Sequence, residues 1–232
     1  MLSSESKPRT EPKPRFVDQL SDFLHRYRVV LLVILIVLVV FMVAYFSYTE
    51  WNKRSRERST VMAERAQELY AQWLQAEDKA SLEQQLQEQI DRIVGRYPRQ
   101  YAAQRARFIQ ANMAFESEQW VEAAQHYRDL AGSFPKSYLA PLCLFDAGVA
   151  FEQAGDMDKA IASYQQVVDE HPDSFLVPHA LFSLGRLHES QEDFETAFQL
   201  YSRLEDEHPL SNWTKLGRNR IIDLKVQGRI AE

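Results

Sequence analysis

Six histidines, one cysteine and 33 Asp/Glu would have to carry any acid–base, nucleophilic or metal chemistry in this chain of 232 residues. Their spacing assembles none. A metalloprotease helix sets two His four residues apart around a Glu; His126, His179 and His188 have no such partner. His171 and His208 stand directly before Pro172 and Pro209 and read as turn residues. Cys143 lies in the apolar run Leu142 to Phe145, the setting of a core thiol rather than a nucleophile, and a single cysteine rules out an internal disulfide. No Gly-rich phosphate loop, Cys-x-x-Cys pair or Gly-x-Ser-x-Gly elbow occurs. Glu205-Asp206-Glu207 and Asp169-Glu170 read as a solvated acidic edge before they read as a calcium site. The expectation is a protein that is no enzyme and uses no cofactor and no metal.

What the chain repeats is position. Pro98, Pro135, Pro172 and Pro209 fall 37 residues apart, as do Ala123, Ala160 and Ala197. Tyr127, Tyr164 and Tyr201 keep the same phase, with Phe108, Phe145 and Phe182, and Ser137, Ser174 and Ser211. Five residue classes in one phase mark a stacked-repeat protein, a class that binds proteins far more often than it catalyses. Apolar residues make up 45% of the chain and charged residues 26%, ordinary for a folded protein. Glycines number only seven, and Ala, Gln, Glu, Leu and Arg dominate outside one segment, which favours helix. Residues 100–232 carry twelve Lys/Arg against twenty Asp/Glu, a net of −8, so no nucleic-acid footprint is expected there.

The exceptional segment is Val29 to Phe46, eighteen apolar or aromatic residues without a charge. With Ser47 and Tyr48 it reaches the roughly 20 residues that a helix needs to cross a bilayer. Tyr27 at one end and Tyr45, Tyr48 and Trp51 at the other fit an interfacial belt. It is longer than a signal-peptide core and lacks a small-x-small cleavage site, so a retained single-pass anchor at 29–48 is expected. Five Lys/Arg lie within 20 residues on each side, and at closer range Lys53, Arg54, Arg56 and Arg58 make the carboxyl side the more basic. Charge therefore leaves the orientation open. Residues 1–28 read as a disordered, proline- and charge-rich tail with a short amphipathic helix from Phe16 to Tyr27.

From Ser59 onward apolar spacing of three and four predicts paired helices: 59–76 with 82–97, 102–117 with 120–133, 139–154 with 157–170, 177–190 with 194–207, and a last helix over 211–226. Ala123, Ala160 and Ala197 sit at the crossings, Ala111, Gly148 and Gly185 supply small residues on the first helices, and the tyrosines act as large plugs. Each proline ends a second helix. The Gly155-Asp156 and Glu192-Asp193 pairs make the turns within a pair. The predicted layout is an all-α chain: a linker helix and degenerate repeat at 49–98, three regular repeats at 99–211, and a capping helix at 212–232.

This pattern of small residue, bulky residue, Ala, Tyr and Pro resembles the tetratricopeptide repeat. It is clearest in Ala147-Gly148-Val149-Ala150-Phe151 with Asp158-Lys159-Ala160-Ile161-Ala162-Ser163-Tyr164 and His171-Pro172, and in Leu184-Gly185-Arg186-Leu187 with Thr196-Ala197-Phe198-Gln199-Leu200-Tyr201 and His208-Pro209. The period of 37, against a commoner 34, resembles the bacterial envelope branch of the family. His188 and Arg107 depart from the family pattern. The layout of tail, span, Trp51-Asn52 and repeats also resembles the YfgM-like ancillary subunits of the bacterial translocon. That resemblance implies an inner-membrane anchor with repeats in the periplasm, near emerging polypeptides and chaperones. A cytoplasmic-facing adaptor and a coordinator of envelope or division machinery remain the alternatives.

In such stacks the first helices line the concave face. The register assigns to it Arg105, Phe108, Asn112 and Phe115, then Leu142, Phe145, Val149 and Glu152, then His179, Phe182, Arg186 and Glu189. Phe108, Phe145 and Phe182 either pack between repeats or floor a groove for a protein or peptide. The family's basic clamp for a carboxyl-terminal peptide needs more Lys and Asn than Arg105, Asn112 and Arg186 provide.

Overall fold

The computed structural model describes residues 16–230, with side chains from residue 26 onward. The tail expected at residues 1–15 lies outside the described residues, as do the side chains of the amphipathic pattern up to residue 25. Among the described residues the regular structure is nine helices and no strand.

Helix α1 spans Phe16–Gln75. The short helix expected from Phe16 and the separate one expected from residue 59 are parts of this single element. The reason is chemical: no Gly or Pro occurs between Phe16 and Gln75, so nothing in the sequence breaks the backbone ladder. Its apolar portion reaches a mean hydropathy of 3.4 over an 18-residue window, none of it buried, and it is long and apolar enough to cross a membrane. By contacts the chain divides at Arg56 into two compact units.

The second unit holds the repeats. After the end of α1 come α2 (Ala80–Arg96), α3 (Tyr101–Glu116), α4 (Trp120–Ser133), α5 (Ala140–Gln153), α6 (Met157–Glu170), α7 (Val177–Ser190), α8 (Phe194–Glu207) and α9 (Asn212–Val226). Each boundary lies within two residues of the periodicity reading. Each helix from α2 to α9 packs on its sequence neighbour, as expected of a solenoid in which a repeat meets only adjacent repeats. One apolar core runs from Ala111 to Leu204 through α3–α8. A second joins Ala63, Ala66, Tyr70 and Trp73 of α1 to Leu86, Ile90 and Ile93 of α2 and to Ile109 of α3.

Local signals explain the joints. Pro141 and Pro178 occupy the first turns of α5 and α7, where a missing N–H costs nothing. The Asp156 and Asp193 carboxylates accept from the backbone N–H groups of Lys159 and Thr196, capping α6 and α8. The serine comb shares a role: the Oγ atoms of Ser137, Ser174 and Ser211 accept from the N–H groups of Leu139, Leu176 and Trp213, two residues on, and Ser137 also donates to Gln104. Within pairs, Glu118, Gly155 and Glu192, one period apart, adopt left-handed φ of 60°, 77° and 62°.

Candidate protein-binding face

The tyrosine comb builds the face. In the second and third regular repeats the Tyr ring lies flat on a bare glycine of the first helix. A Cβ placed on Gly148 would fall 2.6 Å from Tyr164 Cε1, and Tyr201 blocks Gly185 in the same way. Glycine at those two positions is a close-approach requirement, not a matter of backbone freedom. With the ring seated there, the Tyr164 hydroxyl donates to Glu152 at 2.7 Å and the Tyr201 hydroxyl to Glu189 at 3.1 Å. Each glutamate also receives an arginine from the next helix pair: Arg186 pairs with Glu152, and Arg220 of α9 with Glu189. Burial pushes both phenols well above their usual range, and the glutamates they contact push them further. Both guanidiniums remain partly open to solvent beside these pairs, with side chains 48% and 40% exposed.

The first regular repeat is built differently. Ala111 replaces the glycine, and the Tyr127 hydroxyl donates to Asn112 instead. The position matching Glu152 holds Phe115, whose ring stands edge-on to Trp120 at 4.9 Å. The position matching Arg186 holds Val149.

The phenylalanine comb pairs inward with the tyrosines. Ring centroids of Phe108 and Tyr127 lie 5.8 Å apart, Phe145 and Tyr164 5.1 Å, Phe182 and Tyr201 5.9 Å. Phe145, assigned outward by register, is only 6% exposed. His179 sits between the Phe145 ring at 4.3 Å and the Trp213 ring at 3.6 Å, stacked nearly parallel to the latter. Burial, with Arg186 nearby, drops the His179 pKa to about 4, so its ring is neutral near pH 7.

A hollow of about 320 Å³ gathers Phe145, Val149, His179, Phe182 and Arg186 with Glu152, Tyr164 and Trp213. Of the other expected residues, Arg105 donates to Gln67 of α1 and lies over the Tyr101 ring. Phe108, Asn112, Phe115 and Leu142 are half-buried on α3 and α5 and do not line that hollow.

Two features escaped the sequence reading. Trp213 closes the aromatic row; the available signal was its place one period after Leu176. Tyr101, Tyr138 and Phe175 also recur at 37, at the start of α3 and just before α5 and α7, and are 46%, 69% and 84% exposed. The hydroxyls of Tyr101 and Tyr138 are hydrogen-bonded at 2.8 Å.

Asp146 on α5 occupies the register position of Ile109 and Ser183. Its carboxylate has no hydrogen-bond or ion-pair partner among the described residues, and burial raises its pKa to about 7. Burial and then Asp146 push the neighbouring Cys143 thiol up to about 12, which makes Cys143 the inert core thiol its apolar setting predicted.

A family model described as a tetratricopeptide repeat-like domain matches residues 22–143. The chain belongs to that family. A second model, described as a tetratricopeptide repeat, matches residues 136–175 and again 145–212. Together the tetratricopeptide matches run from within α1 to the end of the third regular repeat. No curated protein matches the chain. Tetratricopeptide repeats are modules for protein–protein interaction, typically without catalysis.

Proposed function

We propose that this chain is a membrane-anchored tetratricopeptide scaffold that binds proteins on the periplasmic side of a bacterial inner membrane, in a translocon-associated or chaperone-like role. One observation carries the reading: the repeat-like family match begins at residue 22, so the apolar stretch and the repeats fall within one family pattern. An anchored groove meets membrane-embedded or emerging partners at raised effective concentration. The layout shared with YfgM-like translocon subunits supports the periplasmic side. The alternative is a cytoplasmic-facing adaptor, favoured by Lys53, Arg54, Arg56 and Arg58 beside the apolar stretch.

Protease added to intact spheroplasts separates the two, with a carboxyl-terminal tag as readout. The periplasmic reading expects membrane-fraction protein whose repeats are digested from outside. Protection until lysis assigns the repeats to the cytoplasm, and recovery in the soluble fraction removes the anchor.

A further inference from the structure

The junctions between successive helix pairs are built around the plug hydroxyl, and the first of them differs in charge. One register position faces that hydroxyl each time. Ser183 reaches the Tyr164 hydroxyl, and Arg220 reaches that of Tyr201. One period before Ser183 stands Asp146; burial and then the Asp146 charge push the Tyr127 phenol up. At the second and third junctions a hydroxyl, a carboxylate and a guanidinium meet: Tyr164, Glu152 and Arg186, then Tyr201, Glu189 and Arg220. At the first junction the Tyr127 hydroxyl donates to the Asn112 amide, which Tyr70 of α1 also reaches. The carboxylate there is Asp146, half-buried, and among the described residues no Lys or Arg pairs with it. Val149 stands where the next pair has Arg186, and Arg105 donates to Gln67.

We infer that Asp146 is a recognition point on the protein-binding face, and that it takes an arginine or lysine side chain of a bound protein segment. This inference rests on the scaffold reading and names one contact of its ligand. The argument is charge complementarity. A carboxylate taken partly out of water costs free energy in its charged form unless a cation meets it, and Ile109 and Ser183 at the matching positions avoid that cost. The later junctions show that this setting beside a plug hydroxyl accommodates a guanidinium. Their register position also opens on the face, since Ser183 lines the hollow between the second and third pairs. A partner's cation would do at the first junction what Arg186 and Arg220 do at the next two. The net charge of −8 over residues 100–232 favours approach of a basic segment and opposes an acidic one.

The test uses the full chain in phosphatidylcholine nanodiscs, with fluorescence anisotropy as readout and empty nanodiscs as background. The probe is a fluorescein-labelled, amidated 12-residue peptide with two Arg among Ala, Leu and Gln. A twin peptide carries citrulline in place of both Arg, which keeps the shape and removes the charge. A third carries Glu at the same places.

Affinity is expected to fall in the order Arg, citrulline, Glu, with the Arg peptide about fivefold tighter than its citrulline twin. Asp146→Asn is expected to bring the Arg peptide down to the citrulline level and leave the citrulline peptide unchanged. Asp206→Asn, on the exposed acidic edge, is expected to keep the preference. If circular dichroism shows Asp146→Asn misfolded, Asp146→Ser, which carries the residue native to the next pair, gives the same comparison. The inference is overturned if the Arg and citrulline peptides bind alike, or if no peptide binds above background. A preference that survives loss of the Asp146 carboxylate, or that Asp206→Asn removes equally, overturns it as well. The scaffold reading is judged separately, by localisation.

Discussion

The first regular repeat and the two that follow place the same tyrosine on the same helix crossing, yet give it different sockets. Tyr164 and Tyr201 rest on Gly148 and Gly185 and reach Glu152 and Glu189, twelve residues back. Tyr127 meets Ala111 and reaches Asn112, fifteen residues back. A Cβ at the glycine position would overlap a ring seated as in the later repeats. The alanine methyl therefore moves the plug, and the hydroxyl finds an acceptor one turn earlier. The small residue thus goes with the acceptor: glycine with a glutamate that also takes an arginine, alanine with Asn112 and the apolar Phe115 and Val149 at the matching positions.

The sharpest break of this comparison is an exchange of the two small residues. Gly148→Ala forces a methyl into the Tyr164 ring, whose hydroxyl is held by Glu152 and whose surroundings are fully packed. Overpacking of this kind costs about 1–3 kcal/mol. Ala111→Gly creates no clash; it costs the helix penalty of about 1 kcal/mol and the loss of one fully buried methyl, roughly 0.8 kcal/mol. Near-ultraviolet circular dichroism of the full chain in micelles should show the tyrosine signal disturbed by Gly148→Ala, which displaces the Tyr164 ring, and little changed by Ala111→Gly, which only opens space. An unchanged aromatic signal in Gly148→Ala would show that the tyrosine does not depend on the bare backbone.

How far this was legible in the sequence depends on the kind of contact. Ala123, Ala160 and Ala197 were readable as crossing residues because each repeat solves one packing problem, and all three are fully buried. Helix ends were readable from Pro172, Asp156 and their period mates. The sockets were not. Periodicity identifies Tyr164 as a plug but is silent on Glu152 as its acceptor, since a hydroxyl direction depends on a fraction of an ångström at Gly148. Phe145 looked outward by register and is buried because His179 and Tyr164 close over it. Trp213 was missed because its period mates Leu139 and Leu176 are aliphatic and carry no signal of ring stacking.

Asp146 sharpens the comparison at the junction between the first and second repeats. The equivalent positions hold Ile109 and Ser183, so of the three only this one carries a carboxylate, half-buried and with its pKa raised to about 7. An unfolded aspartate loses its proton near pH 4, whereas the folded one keeps it until about pH 7. The folded state binds more protons between those limits, so its stability must fall as pH rises from about 4 to about 7 and then level off. Asp146→Ser should flatten that slope and, above pH 7, gain about 1–2 kcal/mol after allowance for partial solvent screening. Thermal midpoints at pH 5 and pH 8 test it; a parent protein with no acid-side advantage, or a variant with the same slope, contradicts it.

The smallest expected effect lies in the turns within pairs, where the repeats differ again. Gly155 takes its left-handed φ of 77° freely, and Asp156 after it caps α6. The first repeat has Glu118 at φ 60° followed by Gln119, which makes no side-chain cap to α4. A side-chain-bearing residue in that region costs roughly 1–2 kcal/mol, and a missing cap about 1 kcal/mol. Glycine gives part of this back through the greater freedom of the unfolded chain. Transplanting the later turn as Glu118→Gly with Gln119→Asp should therefore stabilise the chain by about 1 kcal/mol, a shift of a few degrees in Tm. Both sites are exposed. A double variant less stable than the parent would mean that the first repeat is not an imperfect copy of the second but a separately adapted turn.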